Sequence, residues 1–436
     1  MPKDLHTLDL TWPFWGALAL VVAWSFTREE RRERVLDGLA SYRLSVATLG
    51  GLFLISWLGT VAQVDVGLFR AQKIYFESWF FTERVGLFGD WRLALPLPGG
   101  QLLMSLLAVN LLVGGLVRVG QRYAKARGTR RGILLSLLAT HLGVVVLLAA
   151  GIVKLHASDN GHVTLYEGEA TSEFVSFHEW EVAIHDAAQK EQVEEWIVPQ
   201  EDFLDLERGS RRFETPELPF DLVLEQFAPN ARVLPQGDHP GVAVGAVDGW
   251  ALVPQEMEKQ HERNFAGILA RIQPRQAGST SSAILSGWSR FPHTFEVDGR
   301  TWAISLRRRR FDLPGEIELV DFHRELHPRT GMASVFRSDV LWREDDGAGG
   351  RTEDAIRIAM NEPLRRDGLA LFQANWGPQD DPDAARLYSQ LEVTRNPSDH
   401  WPTAAVIVIG VAMTLALALK FRQWLRQQAT RAARAS

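Results

Sequence analysis

Five apolar runs free of Asp, Glu, Lys and Arg, at 12–26, 44–64, 102–117, 132–153 and 402–419, constrain this chain more than any other feature. Crossing about 30 Å of hydrocarbon takes roughly 20 residues of helix at 1.5 Å each. The runs at 44–64, 132–153 and 402–419 reach that length alone. The run at 102–117 reaches it with its flanks, and 12–26 only when Leu8 and Leu10 are counted. The stretch 155–401 is polar and mixed. The expectation is a multi-pass α-helical membrane protein carrying one large domain between its last two spans.

Charge orients such a chain, because loops rich in Lys and Arg stay on the cytoplasmic side. Segment 118–131 holds six basic residues and no acid, and the tail from Lys420 holds five and no acid. With the Arg-rich linker 28–43 also inside, the N-terminus, the loop 65–100 and the domain at 155–401 are expected outside. The first run is followed, not preceded, by positive charge and has no small-residue cleavage site, so it reads as a retained anchor. The absence of cysteine excludes thiol oxidoreductase chemistry, disulfides and the Cys-x-x-Cys-His motif of a c-type cytochrome. Residues 155–401 carry 25 basic against 43 acidic side chains, which excludes nucleic acid as a partner. The abundance of Arg, Ala and Leu points to a bacterial cytoplasmic (inner) membrane.

Within 155–401 the patterns are mostly those of short strands. "HTFEVDGRTWAISL" alternates Phe295 and Val297 with Trp302, Ile304 and Leu306 about Asp298-Gly299, a two-residue hairpin signal. "EIELVDF", "SVFRSDVLW", "AIRIAMNEPL", "LALFQANW" and "LYSQLEVTRNP" read as further strands. One sizeable helix is expected at 254–272. The fold class is therefore a membrane helical region with a large extracytoplasmic β-rich domain, sandwich or barrel-like.

The domain has no phosphate-binding, dinucleotide or nucleophile-elbow motif. "HERNF" starts like a zinc-protease helix, but Phe265 stands where the second histidine belongs. His323 and His327 in "DFHRELH" would share a face only in a helix, and the flanking pattern is that of a strand. Arg307 to Arg310 sit within an expected strand, where side chains alternate, so a solvated edge with local ion pairs competes with an anion or propionate site. His156 and His400 lie near helix ends at the outer surface. They read as solvated interfacial residues or as acceptors of a ligand leaving the membrane.

His141 is set apart by depth. It stands about 14 Å of helix from the cytoplasmic end of its run and about 18 Å from the other, near mid-bilayer. Charging it there is costly, so the ring is expected neutral, with nitrogens that need partners. Ala139, Gly143 and Ala150 occupy the opposite side of the helix and suit close packing, whereas Leu134, Val145, Leu148 and Ile152 share the histidine's face. The ring is thus expected to look outward from its own bundle. Two readings stay open: an interhelical hydrogen bond, for example to Asn110, and ligation of a flat apolar cofactor such as haem. No other of the apolar runs contains a histidine, so a bis-histidine site would take its second ligand from another polypeptide.

Several phrases resemble the ResB (CcsB) family of cytochrome c biogenesis membrane proteins. They are Gly59-Thr60 followed by Gln63, "LAVNLLVGGLVR" with Asn110, "HLGVVVLLAAG" from His141, and "VDF" at Val320 to Phe322. "FRSDV" with Ser338 belongs with them, as does "MNEPLRRDGLALFQANW" with Asn361, Pro363, Leu364, Gly368 and Gln373. The resemblance implies a subunit that works with a ResC (CcsA) membrane protein to bring haem to the external face and attach it to apocytochrome c. A thiol-reducing pathway serves such a complex indirectly. Of the family's functional residues only His141 is carried over, as the cofactor-binding residue and axial ligand of haem iron; no residue is assigned a catalytic role. The chain would be a non-catalytic or co-catalytic subunit of a holocytochrome c synthase. The implied domains are 1–43, an extra anchor and linker; 44–154, three spans; 155–401, the external domain; and 402–436, the last span and tail. The extra first helix, Val61-Ala62 where the family has proline, and "RNPSDHWP" at 395–402 depart from the pattern. A membrane-anchored ligand-binding scaffold or sensor, with a structural histidine, is the alternative.

Overall fold

The computed structural model describes residues 6–7, 16–17, 19–20, 23–24, 27–88, 91–189, 194–237, 245–276, 278–326, 333–345, 350–378, 384 and 386–435. Most of the first apolar run, and His327, lie outside them. The chain divides into two compact units, one made of 1–158 with 396–436 and the other of 159–395.

The first unit is helical: α1 (Glu29–Leu39), α2 (Tyr42–Val66), α3 beginning at Gly100–Asn110, α4 (Thr129–Ala157) and α5 (Trp401–Ala435). After Asn110, α3 passes through a π-helical stretch, Leu111–Arg118, and ends as Val119–Lys125. Among the described residues four helices, α2 to α5, are long and apolar enough to cross a membrane. Ser41 caps α2 by accepting from the Leu44 amide at 3.3 Å, and Gly67, at φ 83°, takes the chain out of it. Between α2 and α3 the hairpin β1 (Phe80–Phe88) and β2 (Trp91–Pro98) forms, with buried Tyr75 and Phe81 in contact at 4.7 Å between ring centroids.

Lipid gives no hydrophobic drive for helices to associate, so close packing at small residues supplies the contact. Gly143 lies against Ile409 and the Ala405 carbonyl, and Gly132 against Leu419. Ala150 is buried, and its carbonyl accepts from Ser398 Oγ at 3.0 Å. The expected packing face of α4 is thus its contact with α5.

In the second unit the strands are β3 (Asp159–Tyr166), β4 (Ala170–Asp186), β5 (Glu195–Pro199), β6 (Ser210–Phe213), β7 (Phe220–Ala228), β8 (Ala231–Pro235), β9 (Gly245–Val247) and β10 (Trp250–Pro254). They continue as β11 (Gly267–Pro274), β12 (Ser281–Ser286), β13 (His293–Val297), β14 (Arg300–Leu326), β15 (Ala333–Asp345), β16 (Arg351–Ala359), β17 (Leu364–Arg366), β18 (Leu369–Gly377) and β19 (Tyr388–Arg395). A large antiparallel sheet runs β16-β15-β14-β4-β3-β19-β18-β17, with β13 on β14 and β5 on β4. Its end strands follow one another in the chain across a short turn with an isolated Ala359–Glu362 bridge, and β16 contacts β17 and β18, so the sheet nearly closes into a barrel. A second sheet, β12-β11-β7-β6, lies over one part of it, and β9-β10-β8 forms a small third.

Two cores result. Trp180, Ile184, Trp302 and Ile304 of the large sheet pack on Phe220, Leu222, Ile268 and Ile272 of the second, as in a sandwich. Phe174, Ile317, Leu319, Trp342, Leu371 and Val393 fill the barrel-like part. Both expected forms of β domain are present. The long strands β4 and β14 belong to both cores, and the first and last strands pair directly, with Asp159 opposite Arg395. Asp298-Gly299 turns its hairpin with both residues at positive φ, as do Asp248-Gly249 and Asp367-Gly368.

The helix expected at 254–272 is not formed. Pro254 ends β10, a short 3-10 turn spans His261–Arg263, and β11 begins at Gly267. "GILA" is buried on both faces of its sheet, so its apolar residues run on without the alternation that separates a strand from a helix.

Candidate functional site

The His141 ring is half-buried, and its Nδ1 lies 2.7 Å from the Leu137 carbonyl one turn back in α4. A carbonyl can only accept, so Nδ1 carries the hydrogen and, in the neutral ring, Nε2 carries the lone pair. This is the arrangement that orients an imidazole for a metal: one nitrogen held by the protein, the other free to ligate. Among the described residues nothing hydrogen-bonds to Nε2.

Two expectations about His141 are corrected. The ring does not look out from its own bundle: it lies on the backbone of Gly115 in the π-helical stretch of α3, where a Cβ would stand 2.2 Å from His141 Cδ2 and 3.1 Å from Nε2. A slot made by a missing side chain on α3 admits the ring, and the wheel of α4 alone does not reveal it. Nor does Asn110 bind the histidine. Buried Asn110 accepts from Ser45 Oγ at 2.6 Å and donates to the carbonyls of Leu39, at 2.6 Å, and Ser41, at 3.0 Å. It secures the α1–α2 corner to α3.

His156 and His400 are exposed at the ends of α4 and α5, and the His400 carbonyl accepts from the Ala404 amide at 3.1 Å.

In the β unit, Arg307 to Arg310 lie in β14 against β4, inside the sheet and not on a solvated edge. Their ion pairs are present. Arg307 binds Glu195 and the buried Glu181, Arg309 binds Glu179 and Glu201, and Arg310 binds Glu173. Burial pushes the Glu181 carboxyl up despite Arg307, whereas the Arg307 hydrogen bond pulls Glu195 down. Arg308 differs. It stacks on Trp180 at 4.0 Å, donates to the carbonyls of Asn264 and Glu262, and burial lowers its pKa to about 10.

His323 is on β14 and gathers with Asp321 and Asp339, the three within 4.8 Å of one another. Asp339 is already paired with Arg357 at 2.8 Å. Sequence reasoning missed another group. At the β4–β14 junction the rings of His162 and Phe177 stack at 5.0 Å, Phe177 is tilted against His178 at 6.0 Å, and His178 meets His261 at 5.0 Å. The usable signal is "SFHE" at 176–179, which interrupts the alternation of β4. Burial, with Arg308 nearby, holds the His162 pKa below its ordinary value.

Among curated proteins no match is found. Residues 300–389 match the model of the ResB-like family. That span runs from the start of β14 into β19 and contains "FRSDV" and "MNEPLRRDGLALFQANW", so it is over these strands that the chain is similar to the ResB-like family.

Proposed function

We propose that this chain is the ResB-type subunit of a cytochrome c maturation complex and that His141 ligates haem on its way to the external face. The family match supports the role, and the four apolar helices support a membrane setting. The fixed tautomer of His141, with Nδ1 donating to Leu137 and Nε2 left as a ligand, is the observation that carries the haem assignment. The donor chemistry fits: iron takes an imidazole nitrogen, and the apolar surroundings suit the porphyrin ring. A further ligand to the iron and the apocytochrome-directed chemistry would then come from a ResC/CcsA-like partner. The arginine-rich loops support a topology with the N-terminus and the β unit outside a bacterial cytoplasmic membrane and the C-terminus inside.

Purification from membranes with a ResC-like partner, followed by haem absorption spectra, tests this. Wild type is expected to carry haem and His141→Ala to lose most of it. Equal haem in both would overturn the assignment. That result would favour the scaffold reading, in which the ring merely fills the Gly115 slot. Normal cytochrome c maturation in a deletion strain would remove the broader role.

A further inference from the structure

The β unit holds a histidine pair that the haem reading does not use. In the β4–β14 ladder Trp180 pairs with Arg308 and Val175 with Arg310, so residues 176–179 stand opposite Arg309 alone. Such bulges re-aim side chains and recur beside functional sites. Buried Ser176 holds this one, its Oγ accepting from the amides of His178 at 3.2 Å and Glu179 at 3.1 Å. His178 is thereby turned toward His261, and the two Nδ1 atoms converge to 3.1 Å.

The other side is equally built. His261 opens the 3-10 turn, and Asn264, 1% exposed, donates to the His261 carbonyl at 3.1 Å and accepts from the Glu258 amide at 2.8 Å. Arg308 fixes the same turn from beneath through the Glu262 and Asn264 carbonyls.

We propose that His178 and His261 form a site for a divalent d-block cation of zinc type. With metal–nitrogen bonds of about 2.0–2.1 Å, two ligands of a tetrahedral centre stand roughly 3.3 Å apart. The observed spacing of 3.1 Å is close to that bite. The Glu262 carboxylate lies 4.0 Å from Nε2 of His178, on the side where the outer partner of a metal-bound imidazole belongs. Without metal, one Nδ1 donates to the other; with metal, both present lone pairs and carry their hydrogens on Nε2. Water completes the coordination. The cluster at Asp321, His323 and Asp339 is the weaker candidate, since Arg357 already compensates Asp339.

The test uses the full chain in detergent, free of affinity histidines, titrated with Co²⁺ and then with competing Zn²⁺. The chain has no cysteine, so any cobalt spectrum reports oxygen and nitrogen ligands. One saturable equivalent is expected. His178→Ala and His261→Ala should each weaken it by at least about tenfold, the double variant little more, and His323→Ala not at all. If an alanine variant unfolds, His178→Gln and His261→Gln carry the comparison. No saturable spectrum, unchanged affinity in both single variants, or loss only in His323→Ala would overturn the site. None of these outcomes depends on whether His141 binds haem.

Discussion

At the scale of single residues, the molecule places histidines where their neighbours define the role. The His141 ring rests on Gly115, so Gly115→Ala should displace it: the new Cβ would fall 2.2 Å from Cδ2. Overpacking of this kind costs about 1–3 kcal/mol. The expected outcome is lower thermal stability and, where His141 ligates haem as proposed, a shifted or weakened haem absorption band, while Gly120→Ala, with open space around its Cβ, leaves both unchanged. His162 gives a pH prediction. Its pKa is held below the ordinary 6.5 by burial, then by Arg308, so the fold favours the neutral ring. That contribution is complete above pH 6.5 and is lost as pH falls through the depressed value. Thermal unfolding between pH 7.5 and pH 5.5 should show a steeper loss in wild type than in His162→Gln. An equal slope would exclude His162 as the group responsible.

At the scale of elements, hairpins and helix contacts rest on few positions. Gly368, at φ 76°, turns β17 into β18, and Gly368→Val should cost about 1–3 kcal/mol through backbone strain, read as a lower urea midpoint. The Asp298-Gly299 turn was legible from sequence because its signal is local and its conformation is open to few residue types. The spans were legible for a related reason, since hydrocarbon admits no interruption by charge. The absent helix at 254–272 was not. Leu269 and Ile272 keep a helix-compatible spacing, and burial on both faces of β11 removes the alternation that would have told strand from helix. The slot at Gly115 and the site at His178 and His261 depend on residues from separate elements, and no one-dimensional pattern records such a meeting.

At the scale of the whole molecule, β4 and β14 thread both cores of the β unit, and Arg307 to Arg310 occupy the changeover. Arg307, with its side chain 19% exposed, covers Glu181 at 4%. Removing the arginine leaves a buried carboxylate uncompensated, so Arg307→Met should destabilise by about 3–5 kcal/mol. The double variant Arg307→Met/Glu181→Leu should recover much of that. Because both strands are shared, amide exchange should report loss of protection in the sandwich and the barrel-like part together. Separate transitions would show that the cores are independent.

The β unit also starts and finishes at one place. Asp159 and Arg395 face each other across β3 and β19, and their side chains approach to 3.5 Å. A segment whose two ends meet can be gained or removed as a cassette, with a short turn closing the gap on either side. The membrane helices and the β unit therefore have the layout of a host and an insert, free to have separate histories and open to exchange by splicing at 159 and 395.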